Sequence, residues 1–186
     1  MRKVVLQELV SVDGFAAESD GELGFFEAIR DYRELDRDNV EFLERFDTVL
    51  LGATTYRMFV EYWPSQTAAD EPVADRVNTI GKVVFSSTLD SAPWGSWEPA
   101  RLVRGRAEDE VAALKQVDGG DMIVWGSLSL GRSLLAARLV DEVQLIVAPI
   151  VLGSGVRPFP ESTIGLELVE VKQYEAGAAS LRYQVR

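Results

Sequence analysis

Twice in this chain a short apolar run stops on a glycine and a helix begins at once. Residues 48–51 run into Gly52, and residues 122–125 run into Gly126. A buried strand that turns straight into a helix is the unit of parallel α/β architecture, because parallel strands need a crossover and a helix supplies it. The remaining spacing agrees. Residues 3–10 read as a β-branched buried strand ending in the turn Ser11-Val12-Asp13-Gly14. Residues 82–85 form a third strand, entered through Gly81 and left through Ser86-Ser87-Thr88, and residues 101–103 a short fourth. Helical spacing runs over residues 24–45, then from Thr54 or Thr55 with Tyr56, Phe59 and Val60 on one face. It returns over residues 108–116 and again from Leu128 to Leu135. Residues 65–72 read as a loop and residues 141–151 as a long sixth strand. Residues 166–174 and 180–185 make a hairpin across Ala176-Gly177-Ala178. In its second strand Leu181, Tyr183 and Val185 alternate with Ser180, Arg182 and Gln184, which predicts one buried face and one wet face. With 186 residues the chain is expected to be one domain, residues 1–186, with a mixed, mostly parallel sheet flanked by helices.

Composition narrows the chemistry. The chain has no cysteine and no histidine, which removes thiolate and imidazole metal sites, thiol nucleophiles and Ser-His-Asp triads. No metal is expected. Nineteen basic against 30 acidic residues give a net charge of −11, a field that repels a nucleic acid but leaves room for a local phosphate pocket. The longest apolar run, residues 145–152, is far shorter than the roughly 20 residues of a membrane span. Arg2 and Lys3 precede only three apolar residues before Gln7 and Glu8 interrupt, too few for a signal-peptide core. A soluble, cytoplasmic protein with no nucleic-acid or membrane partner is expected. Its chemistry must use carboxylates, hydroxyls, Arg, Lys, backbone groups or a borrowed cofactor.

A strand-glycine-helix junction brings backbone N–H groups and a helix N-terminus up to a phosphate. A glycine at that place also simply lets the chain turn tightly. Five segments carry more weight together: Ser11-Val12-Asp13-Gly14-Phe15-Ala16, Leu51-Gly52-Ala53-Thr54-Thr55-Tyr56, residues 81–89, Val124-Trp125-Gly126-Ser127-Leu128 and residues 148–155. In that order they resemble the dihydrofolate-reductase-like superfamily, closest to the reductase domain of the bifunctional riboflavin-biosynthesis deaminase-reductase and its small stand-alone relatives. The resemblance spans almost the whole chain and implies a three-layer domain with a C-terminal antiparallel hairpin.

It also implies NADPH at the carboxyl edge of the sheet and a hydride passed to a pterin-, pyrimidine- or flavin-like ring. By that resemblance Leu9 and Ala16 offer backbone groups to the nicotinamide carboxamide. Gly52, Ala53, Thr54 and Thr55 sit at the first phosphate-binding helix, and Gly126, Ser127, Leu128 and Leu130 at the second. Ser86, Ser87 and Thr88 approach the adenosine 2′-phosphate. Ala53 stands where the family usually has an arginine, and Arg104, with Arg106 close by, could supply the lost charge. Glu22 is the candidate acid, unless it is only a solvated residue at a helix start. Asp13 is the second candidate, unless it only pins its turn. Phe25, Phe26, Phe59 and Trp63 could face a flat heterocycle, although aromatics at helical spacing usually pack inward. Trp94 and Trp97, flanked by Pro93 and Pro99, read as solvent-side packing of a loop. The expected activity resembles that of 5-amino-6-(5-phosphoribosylamino)uracil reductase or dihydrofolate reductase. The alternative is a ligand-binding protein that keeps the fold without turnover. Relatives of the riboflavin branch commonly pair through the C-terminal part of the sheet, so a homodimer is expected.

Overall fold

In the computed structural model, which describes residues 1–186, the first strand, β1 (Val4–Ser11), is buried almost throughout, and Val4, Val5 and Leu6 are fully enclosed. A strand covered on both faces has no reason to alternate, so it reads as a continuous apolar run. Then come α1 (Arg33–Leu43), β2 (Phe46–Gly52), α2 (Ala53–Tyr62), α3 (Ala74–Thr79), β3 (Gly81–Phe85) and β4 (Arg101–Val103). The chain continues through α4 (Ala107–Leu114), β5 (Asp121–Trp125), α5 (Leu128–Ala136), β6 (Glu142–Ala148), β7 (Leu166–Gln173) and β8 (Ala179–Val185). All eight strands join one sheet in the order β4-β3-β2-β5-β1-β6-β8-β7. The first six are parallel to their neighbours; β8 runs antiparallel to β6, and β7 antiparallel to β8. This is the dihydrofolate-reductase-like architecture expected from the motifs.

Alternate residues of each central strand feed two separate cores. Val5, Val49, Leu51 and Ile123 meet Leu43, Tyr56 and Val77 on one face. Val4, Leu6, Leu50, Met122 and Val124 meet Val111, Leu134 and Leu135 on the other. So α2 and α3 cover one side of the sheet, and α4 and α5 the other. A third cluster, with Phe25, Ile29, Leu35, Ile146 and Tyr174, closes over β6. No helix is long and apolar enough to cross a membrane.

Local departures have local causes. The helix expected over residues 24–45 divides into a 3-10 turn, Gly24–Ala28, and α1. Phe25 and Ile29 turn into the third cluster, and the Asp31 carboxylate then accepts the Arg33 N–H at 3.0 Å, restarting the helix. The loop expected at residues 65–72 leads into α3, which buries Ala74, Val77 and Asn78. β6 stops at Ala148 because Pro149 has no N–H for the ladder. In β8 the buried residue is Ser180, whose Oγ accepts from Gln144 Nε2 at 3.0 Å, whereas Leu181, Tyr183 and Val185 are only partly buried. Trp94 is enclosed rather than solvent-side, donating from Nε1 to Asn78 Oδ1 at 2.8 Å.

The sheet opens at its carboxyl end. β1 pairs with β6 as far as Ser11 opposite Ala148, but with β5 only as far as Gln7 opposite Trp125. β2 reaches Gly52 against β3 but only Leu50 against β5. The short β5 thus leaves a gap between longer neighbours. Since α2 leaves one face and α5 the other, the gap is the kind of crevice in which α/β sheets bind ligands.

Candidate active site

A cavity of about 1120 Å³ fills that crevice. Its floor is Gln7, Glu8 and Leu9 of β1, and its walls come from α1, α2 and α5. Residues 153–157 pack against one rim, where Ala16 N–H donates to Val156 O and Val156 N–H to Ala17 O at 2.8 and 2.9 Å. A Cβ on Gly155 would lie 2.3 Å from Ala17 O, so that contact requires glycine.

The two glycine junctions meet. Gly52 N–H donates to Ser127 Oγ at 3.1 Å, and Thr55 Oγ1 donates to Gly126 O at 2.8 Å. Gly126 has a positive φ of 63°, which a side chain rarely adopts; a Cβ there would meet Thr55 and Phe59 only at ordinary contact distance. The junction hydroxyls and the Gly52 amide therefore hold the two helix starts together. No side chain caps α2 or α5. The first-turn backbone N–H groups of both helices are what remain to meet an anion.

Thirteen of the residues singled out from the sequence line this one cavity: Leu9, Ala16, Gly52, Ala53, Thr54 and Thr55 from the strand ends and α2; Gly126, Ser127, Leu128 and Leu130 from the α5 junction; and Phe26, Phe59 and Trp63 among the aromatics. Ser86, Ser87, Thr88 and Arg104 do not. Ser86, Ser87 and Thr88 stand one strand further along the edge and Arg104 two, since Gly52 is in register with Phe85 and Phe85 with Val103. There Ser86 Oγ accepts the N–H groups of Thr88 and Leu89 at 3.2 and 3.1 Å, and Arg104 donates to Asp90 O at 3.4 Å. Phe25 is buried in the third cluster and presents its edge to Phe26 at 4.9 Å.

Neither carboxylate singled out from the sequence lies in the cavity. Glu22 is exposed, in a loop whose conformation is set by Asp20. Asp13 clamps its own turn: its carboxylate accepts from Ser11 Oγ at 2.7 Å and from the N–H groups of Leu152 and Gly153 at 3.1 and 2.7 Å. Those bonds, the Ser11 hydroxyl first, lower its pKa to about 2.

The carboxyls that do line the cavity include Glu8 and Asp36. Burial raises Asp36 to about 6, and the negative charges of Glu71 and Asp31 push the same way. Tyr32, Leu35, Asp36 and Asn39 share the cavity-facing side at helical spacing. That stripe becomes readable once the helix is started at Arg33. Below it Gln7 Nε2 donates to Asn39 Oδ1 and Gln144 Oε1, both at 3.1 Å. The cue that points to the floor is the pair Gln7-Glu8 in a strand otherwise built of buried apolar residues. Trp125, the last residue of β5, stacks on Trp63 at 5.8 Å and takes the edge of Phe59 at 5.7 Å. The result is a stacked pair of indoles, buttressed by the Phe59 edge, in a cavity whose floor carries Gln7 and Glu8.

A family model described as the RibD C-terminal domain matches residues 2–180. The uncharacterized proteins YyaP and YwjB of Bacillus subtilis (strain 168) are similar over nearly their whole length. YyaP is 28% identical over 188 residues, covering 98% of this chain and 94% of its own; YwjB is 30% identical over 184 residues, covering 98% and 97%. Among solved structures, a putative riboflavin biosynthesis protein from Shewanella sp. PV-4 superposes with a TM-score of 0.79 at 22% identity, covering 99% of both chains. The diaminohydroxyphosphoribosylaminopyrimidine deaminase/5-amino-6-(5-phosphoribosylamino)uracil reductase of Thermotoga maritima gives 0.69 at 15% identity, with all of this chain on 57% of that one. Dihydrofolate reductase of Enterococcus faecalis, complexed with NADP(H), gives 0.62 at 14% identity, covering 99% and 96%.

Proposed function

The chain belongs to the RibD C-terminal domain family, and from that premise we propose that it is an NADPH-dependent reductase of a small pyrimidine-, pterin- or flavin-like ring. One observation carries the reading. Two uncapped helix starts, tied to each other across the gap left by β5, open onto the same cavity as the stacked indoles of Trp63 and Trp125.

The donor set fits a dinucleotide. The first-turn amides of α2 and α5 would hold its pyrophosphate, favoured by the positive ends of both helices. The backbone of β1 beyond Gln7, which no longer pairs with β5, would meet the nicotinamide carboxamide at Leu9, with Ala16 opposite. Ser86, Ser87, Thr88 and Arg104, on the same edge, would stand near the adenosine end. When bound, the reduced nicotinamide supplies the hydride. The chain's own part is position and proton. The indoles of Trp63 and Trp125 hold a ring flat, with the Phe59 edge against them; Asp36, its pKa raised to about 6, exchanges a proton just below neutral pH and as the carboxylate orients a ring N–H; Gln7 and Asn39 fix the floor.

Leu168, Val169 and Val171 of β7 are each more than half exposed on the outermost strand. An apolar edge of this kind is covered in an assembled protein, which supports a homodimer through β7. The reading places the protein in the cytoplasm, without nucleic-acid or membrane partners.

The test is a thermal melt with NADPH and with NADH, followed by cofactor oxidation with dihydrofolate, oxidised flavin or the phosphoribosylaminouracil. A cofactor at about 100 times its Kd should add about 2.7 kcal/mol. No stabilisation by either dinucleotide refutes the reading. Stabilisation without oxidation by any ring marks a binding protein instead.

A further inference from the structure

Oε1 of Glu8 is the one buried side-chain polar atom in the chain without a hydrogen-bond partner. Glu8 is 4% exposed and lies on the cavity floor. Its side chain shares the α5 side of β1 with Leu6, two residues back, and β6 sets Leu145 beside it. An ion pair is the ordinary reason for a buried glutamate, but none reaches this one. The charge that acts on it is Arg132 of α5, whose guanidinium donates to Arg157 O at 2.6 Å and Ser129 Oγ at 3.3 Å. Arg157, in the segment after β6, lies over the Phe15 ring at 4.7 Å. Burial keeps Glu8 protonated, pushing its pKa up to about 8, with Arg132 pulling the other way.

A neutral carboxyl carries an O–H donor beside a C=O acceptor. Its complement is a planar amide edge, a C=O beside an N–H. We propose that Glu8 is a specificity-determining residue of the cleft, a neutral carboxyl that pairs through two hydrogen bonds with an amide edge of the bound ligand. The proposal rests on the reductase reading for the two sources of that edge. One is the nicotinamide carboxamide, set by that reading against Leu9, the chain neighbour of Glu8. The other is the lactam of a pyrimidine or pterin ring. The orphaned oxygen is a cost to the empty protein that the ligand removes.

Binding of NADPH and of uracil is measured by calorimetry from acid to alkaline pH, with the acetylpyridine analogue of the dinucleotide, which lacks the amide N–H, as a third probe. For whichever edge Glu8 reads, affinity should fall about tenfold between about pH 7 and about pH 9, as Glu8 ionises and its carboxylate meets the ligand carbonyl. Glu8→Gln keeps one donor and one acceptor without titrating and should bind with a flat profile. Glu8→Leu should bind about tenfold more weakly at neutral pH yet melt several degrees higher without ligand, since the orphan is gone. A penalty for the acetylpyridine analogue, relative to NADPH, that disappears in Glu8→Leu assigns the edge to the cofactor; weakening of uracil alone in Glu8→Leu assigns it to the ring. Equal affinity of Glu8→Leu and the unchanged protein for both probes overturns the proposal, as does an identical pH profile in Glu8→Gln. Uracil binding that depends on Glu8, with no NADPH binding, refutes the cofactor reading and leaves this one standing. Binding of neither probe overturns both.

Discussion

Two glutamates on neighbouring strands, Glu8 of β1 and Glu142 of β6, are almost equally hidden, at 4% and 7% exposed, and settle in opposite states. Burial works to raise the pKa of both. At Glu142 the hydrogen bonds of Lys3 at 2.7 Å and Arg45 at 3.2 Å overcome it, and the pKa falls. At Glu8 nothing overcomes it, and the pKa rises to about 8. The difference follows the ends of the sheet. At the amino end, where β1 and β6 begin, cations and carboxylates interlock: Arg2 with Asp47, Arg45 also with Asp121 at 3.0 Å, Lys115 with Asp141 at 2.5 Å. At the carboxyl end Glu8 and Asp36 face a cavity without an ion pair. One end has its charges paired within the chain; the other leaves polar groups to be completed by a ligand. Partners, more than depth, decide what a buried carboxyl is for.

The sharpest way to break that contrast is to make both glutamates leucine. Glu142→Leu removes the carboxylate that Lys3 and the more buried Arg45 share, and should cost about 3 kcal/mol in urea unfolding. Glu8→Leu should gain about 1 kcal/mol in the same experiment. Changes of the same sign would dissolve the distinction. The pH dependence separates them further. Glu8, raised above its unfolded value of 4.5, contributes stability below that pH that is lost as pH rises through about 8. Glu142, lowered, contributes stability above its unfolded value that is lost as pH falls below it. Each variant's stability difference from the unchanged protein should therefore vary over its own pH window.

Next in size is the helix junction. Gly52 has an ordinary extended conformation, φ −78° and ψ 161°, and a Cβ there would meet only Ser127 Oγ at 4.0 Å. Gly52→Asp should fold normally, since aspartate is a good N-cap, while weakening NADPH by about a hundredfold through its charge. Unchanged NADPH affinity by calorimetry would remove α2 from the binding site. Asp36→Asn should lower turnover about tenfold and abolish the step near pH 6 in the rate profile. A step that survives in the variant assigns the proton to another group. The smallest effect concerns β7: Val171→Glu should shift sedimentation to a monomer while altering stability by less than about 0.5 kcal/mol. An unshifted sedimentation coefficient would exclude β7 as the contact.

Much of the fold could be read directly. The central strands are visible as short apolar runs and the C-terminal hairpin as polar-apolar alternation, and both glycine junctions line the cavity, because junction chemistry is local: the turn, the amides and the helix start lie within a few residues. The placement of the acids is not legible for the same reason. Glu22 and Asp13 stand near the right motifs in the chain, but which carboxylate reaches the cavity depends on where α1 restarts after Asp31. Ser86, Ser87, Thr88 and Arg104 are gathered at one sheet edge, yet only the order of strands shows that this edge lies beyond the cavity wall. Trp94 lies in a proline-flanked loop and is still enclosed, through its bond to Asn78, sixteen residues back.

By itself the sequence determined the alternation of strand and helix, the absence of imidazole and thiol chemistry, and the two glycine turns, all set by residue type and short-range spacing. The tertiary structure alone decided which side chains share a space. It brought Gly52 to Ser127, joined by a hydrogen bond across 75 positions, stacked Trp125 on Trp63, and left Glu8 without a partner. A backbone follows its local preferences, but the charge state of a buried acid depends on what the rest of the chain places, or fails to place, within hydrogen-bonding reach.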